Sequence, residues 1–309
     1  MAKITSSFQS ASISLQTACW TVMSAVLFSG LGAIVRHLSE HLHTFQISFF
    51  RCAAGLLFMM PWLLRHGLGV LKTRRLGLYS LRCFLGLLSM QMGFFALTLI
   101  SFADAVALSF TTPLFATAMA ALFLGEIVRI RRWTATLVGF IGVLIIIRPG
   151  AGEFNIGVFL AIAAASISAV TTLIVKKLTK TESPTAIVTF MVLIMTPMSL
   201  PMALWVWQQP TAIEWLWILG MGACGSAGHI CLVRAFSLAD ASVVMTYDYT
   251  RMIFATFIGW IAFMEIPDLW TWLGAVVIVA STIYIARREA LRNQSIAAPA
   301  AAKSGDVAA

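Results

Sequence analysis

The sequence predicts an all-α polytopic membrane protein of ten transmembrane helices, arranged as two inverted five-helix repeats. Three observations predict this class. The composition is too apolar for a water-facing surface. The clusters of basic residues fall in alternate gaps between apolar runs. Two segments of matching sequence lie 136 to 139 residues apart.

Hydrophobic residues make up 60% of the 309 residues and charged residues only 11%; mean hydropathy is +0.92. A soluble domain carries roughly 25% charged residues, which its surface requires. The solvent of this chain is therefore largely lipid. Lipid leaves every backbone N–H and C=O to be paired internally, so the choice is helices or a closed barrel. Runs such as 137–147 and 275–285 are continuously apolar, whereas barrel strands alternate. The net charge of +9 does not point to nucleic acid, because the basic residues sit between apolar runs rather than on one face. The five cysteines, Cys19, Cys52, Cys83, Cys224 and Cys231, lie within apolar spans without metal-ligand or disulfide spacing. They read as small buried hydrophobes.

The elements follow in order. Residues 1–16 are polar and serine-rich, with no basic region beyond Lys3, and read as a tail rather than a cleaved signal. Spans of about 20 apolar residues fall near 17–36, 44–64, 77–99, 102–124 and 132–148, which gives a first repeat over 17–150. A second set falls near 156–176, 184–207, 212–235, 240–263 and 268–286, within a second repeat over 151–288. The first, second and sixth spans carry several polar residues each and are the least sharply marked. Trp62, Trp133, Trp205, Trp207, Trp215, Trp217, Trp270 and Trp272 mark span ends, as an interfacial belt does. Residues 289–309 are rich in Ala, Ser, Gly and Pro and read as a disordered tail.

Orientation follows from the gaps. Arg65, Lys72, Arg74 and Arg75 follow the second span, Arg129, Arg131 and Arg132 the fourth, Lys176, Lys177 and Lys180 the sixth, and Arg287, Arg288 and Arg292 the tenth. The alternate gaps at 99–101, 208–214 and 265–268 lack Lys and Arg. One side is basic and carries both termini, so the positive-inside rule makes it the cytoplasm.

The repeat is visible in residues. Ser101-Phe-Ala-Asp104-Ala matches Ser237-Leu-Ala-Asp240-Ala, Leu114-Phe-Ala-Thr117 matches Ile253-Phe-Ala-Thr256, Glu126 matches Glu265, and Trp133 matches Trp272. The offset grows from 136 to 139, so the second copy holds three extra residues near Tyr247-Asp248-Tyr249. Bases follow Glu126, and Asp268 follows Glu265. An odd number of spans per copy reverses the second copy, and the charges reverse with it. Such inversion is typical of alternating-access carriers.

These stretches, with Ser101-Phe-Ala-Asp-Ala-Val-Ala-Leu-Ser-Phe-Thr-Thr-Pro-Leu-Phe, Leu124-Gly-Glu126 and the run from Gly139 to Pro149, resemble the EamA fold of the drug/metabolite transporter superfamily. The second copy is looser, with Met264-Glu265 in place of Gly-Glu. The resemblance covers residues 17–287. It implies a central cavity lined by the third, fourth, eighth and ninth helices, with contributions from the first and sixth, and a secondary carrier of the cytoplasmic (inner) membrane that uses no ATP. No Gly-x-x-x-x-Gly-Lys-Ser/Thr loop occurs. Within the superfamily, His43-Thr-Phe-Gln-Ile-Ser-Phe-Phe-Arg51 and Tyr247-Asp-Tyr-Thr-Arg251 are similar to the bacterial branch that includes S-adenosylmethionine uptake carriers.

A charge near the bilayer centre costs at least ~2.5–3.5 kcal/mol on insertion scales, so the intramembrane polar residues are the site candidates. Tyr247, Asp248, Tyr249 and Arg251 lie two to three turns into the ninth span. Asp248 and Arg251 are three apart and can form either an internal ion pair or a substrate or proton site. His229 follows the small residues Gly225-Ser-Ala-Gly228. It reads either as a core histidine or as a ligand or proton contact. Arg51 is either a fixed charge or a substrate contact, whereas Arg82 and Arg234 read as snorkelling side chains. On the lining helices implied by the resemblance, Gln91, Phe110 and Thr112 are further substrate-binding candidates. Asp104 and Asp240 read as N-caps. Glu126 and Glu265 read as loop anchors, partners of the Arg cluster, or gates. Pro113 should kink the fourth span and widen the cavity.

The function expected is a secondary active transporter of a small organic metabolite, such as an amino acid or S-adenosylmethionine. A channel or an assembly factor is the alternative, and an intramembrane enzyme is weaker because no catalytic constellation occurs. No cofactor or metal is implied. The partners are a small-molecule substrate and the lipid bilayer, with no nucleic acid; proton coupling, exchange and a homodimer stay open.

Overall fold

The computed structural model of the protein describes residues 13–67, 73–112, 114–116, 119, 130–147, 155–239, 241–281 and 283–284. Among them no strand occurs. The helices are α1 (Ile13–Leu38), α2 (Thr44–His66), α3 (Leu76–Leu99), α4 (Phe102–Ser109), α5 (Ile130–Ile147), α6 (Ile156–Leu178), α7 (Pro184–Trp205), α8 (Ala212–Leu238), α9 (Ala241–Asp248), α10 (Thr250–Phe263) and α11 (Leu269–Ser281). Most of both expected tails, together with Pro113, Glu126 and Asp240, lies outside the described residues. The first helix begins at Ile13, four residues before the expected start.

Six helices, α1, α2, α3, α6, α7 and α8, are long and apolar enough to cross a membrane. They include the first, second and sixth spans, which are the least sharply marked in sequence. Shorter apolar helices represent the expected fourth, fifth, ninth and tenth spans. The ninth is divided at Tyr249, between α9 and α10, where the second copy carries its extra residues.

Local chemistry sets the helix starts. Ser183 caps α7 and is followed by Pro184 in the first turn, where a missing N–H costs nothing. Thr211 and Glu214 form a reciprocal capping box at α8. At α4 the cap is Ser101, whose Oγ accepts from the Asp104 N–H at 3.1 Å. The N-cap role expected of Asp104 is therefore corrected. Asp104 sits one turn further in, and its carboxylate accepts from the Thr271 hydroxyl of α11. The residue three before it has the free hydroxyl and extended backbone that a cap needs.

Packing follows the repeat. The first helix of each copy packs on the third helix of the other, α1 on α8 and α6 on α3. The second helices, α2 and α7, meet each other, and the fourth helix of each copy meets the first helix of the other, α10 on α1 and α4 on α6. Pairs exchanged by the repeat thus recur in space. Close approach depends on glycine. A Cβ on Gly222 of α8 would lie 2.9 Å from the Gly55 N of α2, and one on Gly274 of α11 would lie 2.6 Å from the Gly142 O of α5.

Large apolar side chains such as Leu57, Phe84, Leu144, Phe159, Ile253 and Val276 face outward, as a lipid-facing surface requires. Cys52, Cys83 and Cys231 are buried, Cys224 is half-buried and Cys19 is exposed. Cys19 is thus a thiol on the outer face of α1 rather than part of the core.

Candidate functional site

A cavity of about 380 Å³ lies between the two copies, within the size range of small-molecule sites. The first, third, fourth, sixth, eighth and ninth helices all contribute to it, as the resemblance implies. Two more helices do so as well: α2 through Arg51, and α7 through Met191 and Met195.

Arg51 is 4% exposed. Its Nη2 lies 3.1 Å from Nδ1 of His229, which also sits 2.9 Å from the Gly225 carbonyl. Nδ1 cannot both accept and donate. A bond from the cationic guanidinium is the stronger of the two, and the Gly225 carbonyl is the one that a helical backbone N–H four residues on satisfies. We therefore assign Nδ1 as the acceptor from Arg51. The Phe28 ring meets His229 edge-on with centroids 4.8 Å apart. Gly225 leaves the space that Arg51 fills, because a Cβ there would lie 3.1 Å from Nε.

Arg82 is 6% exposed and lines the same cavity. Its Nη1 donates to Met195 Sδ at 3.8 Å, and its Nε has no partner. The snorkelling role expected for it is corrected: Arg82 is buried against Met195 of α7. Arg234, by contrast, is exposed and stacks on Trp20 with its guanidinium carbon 4.8 Å from the ring centroid.

Asp248 and Arg251 form the ion pair their spacing allows, at 3.1 Å. Both line the cavity. Arg251 also donates to the Ser109 hydroxyl at 3.1 Å and lies over the Phe110 ring. Tyr249 meets Phe110 edge-on. The breaks in the fourth helix of each copy thus touch one another at the cavity wall. Thr112 lines it too, and its hydroxyl donates to the Ser109 carbonyl at 2.7 Å. That carbonyl lies four residues before Pro113, which has no N–H to offer it.

Two candidates face elsewhere. Gln91 accepts from Ser48 of α2 at 2.9 Å and does not line the cavity. Tyr247 is half-buried and does not line it either. Sequence reasoning missed Ser89, whose hydroxyl lies 2.7 Å from that of Ser168, and also Thr171 and Thr172. A signal was present, because Ala161, Ala164, Ala165, Ser168, Thr171, Thr172 and Val175 form one stripe of α6 at helical spacing.

The end of the molecule opposite the basic gaps is tied across the copies. Glu265 pairs with Arg36 of α1, and its other carboxylate oxygen accepts from the Phe102 N–H at 2.9 Å. Arg36 also donates to the carbonyls of Leu97 and Ile100 at 3.4 and 2.9 Å. At the basic end, Lys176 of α6 donates to the carbonyls of Phe236 and Ala239 at 2.7 and 2.6 Å. Arg36 and Lys176 therefore play matching parts, each on the first helix of its copy and each capping the end of that copy's third helix. Glu265 contacts Arg36; the side chains of the Arg cluster considered in the sequence lie outside the described residues.

Two interleaved helical repeats around a solute-sized, partly polar cavity define a polytopic membrane transporter. The chain belongs to the EamA-like transporter family, which it matches over residues 15–148 and 155–287. It is similar to the riboflavin transporter of Vibrio cholerae, at 33% identity over 91% of this chain and 96% of that one. It is also similar to the S-adenosylmethionine uptake transporter of Rickettsia felis, at 31% identity over 86% of this chain and 90% of that one. A protein of known crystal structure superposes with a TM-score of 0.64 over 88% of this chain and 98% of its own, at 17% identity; that likeness concerns the fold alone.

Proposed function

We propose that the protein is a secondary carrier that moves a small, ring-containing organic metabolite across the cytoplasmic membrane by alternating access. The observation that carries this reading is the cavity between the copies, walled by Phe28, Phe94, Phe110, Phe236 and Tyr249. Aromatic walls suit a flat ring. The solutes in the relatives' names, riboflavin and S-adenosylmethionine, each contain a fused heterocycle.

The basic end faces the cytoplasm in this reading and carries both termini. Residues 17–150 and 151–288 act as the two moving halves. The Arg36–Glu265 contact closes the outer end. Asp248 is the carboxylate lining the cavity among the described residues, so it is the group to which proton coupling would fall.

Uptake of radiolabelled S-adenosylmethionine, riboflavin, amino acids and nucleosides into proteoliposomes tests the reading. Saturable uptake of at least one, absent from protein-free vesicles, is expected. Flux that rises linearly with concentration would instead mark a channel.

A further inference from the structure

Three guanidinium groups line the cavity, those of Arg51, Arg82 and Arg251, against the single carboxylate of Asp248 among the described residues. Asp248 is committed to Arg251 at 3.1 Å. No carboxylate among the described residues pairs with Arg51 or Arg82. The partners of Arg51 are the neutral His229 ring nitrogen and the Cys52 sulfur, and Arg82 has the Met195 sulfur. Both are more than nine-tenths buried, and Nε of Arg82 has no partner at all. Both line the same cavity. Burying two cations around one cavity without a counter-charge is strongly unfavourable. Residues kept in that arrangement inside a membrane are functional by default.

The surroundings suit an anion. Small residues stand beside each cation: a Cβ on Gly86 would lie 3.6 Å from Nη1 of Arg82. Ser89 and Ser168 add hydroxyls to the same wall. A guanidinium offers a planar fork of donors matched to carboxylate and phosphate oxygens.

We infer that the cavity receives an oxyanion, a carboxylate or phosphate of the transported solute, at Arg51 and Arg82, while the aromatic wall takes its ring. His229 acts as a positioning residue that orients Arg51. The inference rests on the carrier reading and narrows it. S-adenosylmethionine carries a carboxylate and riboflavin has no oxyanion, so the cavity favours a solute of the first kind over one of the second.

Two matched pairs of probes test it by binding to the purified protein in nanodiscs. S-adenosylmethionine is compared with its decarboxylated form, and flavin mononucleotide with riboflavin. The first pair isolates a carboxylate and the second a phosphate. In at least one pair the oxyanion-bearing member should bind at least about tenfold more tightly, a difference of about 1.4 kcal/mol. Arg51→Gln and Arg82→Gln should each remove most of that preference, and Arg51→Lys and Arg82→Lys should retain part of it. The lysine variants keep the charge, which covers the case in which a glutamine variant fails to fold. Equal binding within both pairs, a preference that survives both glutamine substitutions, or no binding of either oxyanion-bearing probe would overturn the inference. Saturable transport of an oxyanion-bearing solute at wild-type rate in the Arg51→Gln/Arg82→Gln double variant would remove the oxyanion site and leave the carrier standing. Retained oxyanion binding without saturable transport of any solute would overturn the carrier reading alone.

Discussion

On the proposed orientation, Glu265→Gln should loosen the outer end of the protein by a calculable amount. The native carboxylate pairs with Arg36 and accepts from the Phe102 N–H at the start of α4. Gln keeps the shape and one acceptor oxygen but loses the charge. The gross attraction of two unit charges ~4 Å apart at an effective dielectric constant of ~20 is about 4 kcal/mol. The two side chains are 24% and 23% exposed, so solvent screens part of this. Hydrogen bonds to charged groups contribute about 1.5–3 kcal/mol net. If the contact is made only while the outer end is closed, its loss shifts the equilibrium toward outer opening by about 10- to 100-fold. Ala105 of α4 lines the cavity one turn inside that end. In a background without native cysteines, Ala105→Cys can be labelled from the outer side with a membrane-impermeant maleimide. Labelling should speed up by that factor in Glu265→Gln and by a similar factor in Arg36→Gln. The double variant should add little to either single change, because both remove the same interaction. An outer labelling rate unchanged within about twofold in both single variants, too small to reflect even 1 kcal/mol, would refute the reasoning.

Other expectations follow from the same geometry. Asp248→Asn removes the charge that balances Arg251 and should abolish transport while expression and monodispersity stay near normal; wild-type uptake would take Asp248 out of the mechanism. Gly274→Ala places a methyl 2.6 Å from the Gly142 carbonyl oxygen and should destabilise the protein by about 1–3 kcal/mol, visible as a lower thermal midpoint in detergent. Lys176→Ala leaves the carbonyls of Phe236 and Ala239 without their side-chain donor. It should lower the same midpoint by an amount corresponding to roughly 1.5–3 kcal/mol, whereas Lys180→Ala, with its base in the same gap, should not.

Helix class and repeat are legible in the sequence because both are one-dimensional signals. Lipid demands long apolar runs, and the match of Asp104 with Asp240 or Glu126 with Glu265 survives without knowledge of packing. What fails is what depends on which way a helix faces. Arg82 lies near a helix end, so residue counting sends it to the interface; in the fold it is buried and donates to Met195 of α7. Gln91 sits on a helix that the resemblance makes cavity-lining, yet it turns to Ser48, while Ser89, Met90 and Gly93 carry the cavity face of α3. The partnership of Arg36 with Glu265 crosses 229 positions of sequence and leaves no local pattern. The spacing of Asp248 and Arg251 did indicate their ion pair, because three residues along a helix fix proximity whatever the tertiary fold.

Counterflow tests the central claim most directly. Proteoliposomes preloaded with unlabelled solute, the compound identified by uptake or binding, are diluted into a trace of the same compound in labelled form. The alternating-access account predicts that label accumulates transiently above its equilibrium level, and that Asp248→Asn removes this overshoot. Label that merely equilibrates through the wild-type protein, at a rate independent of the internal solute, would contradict it.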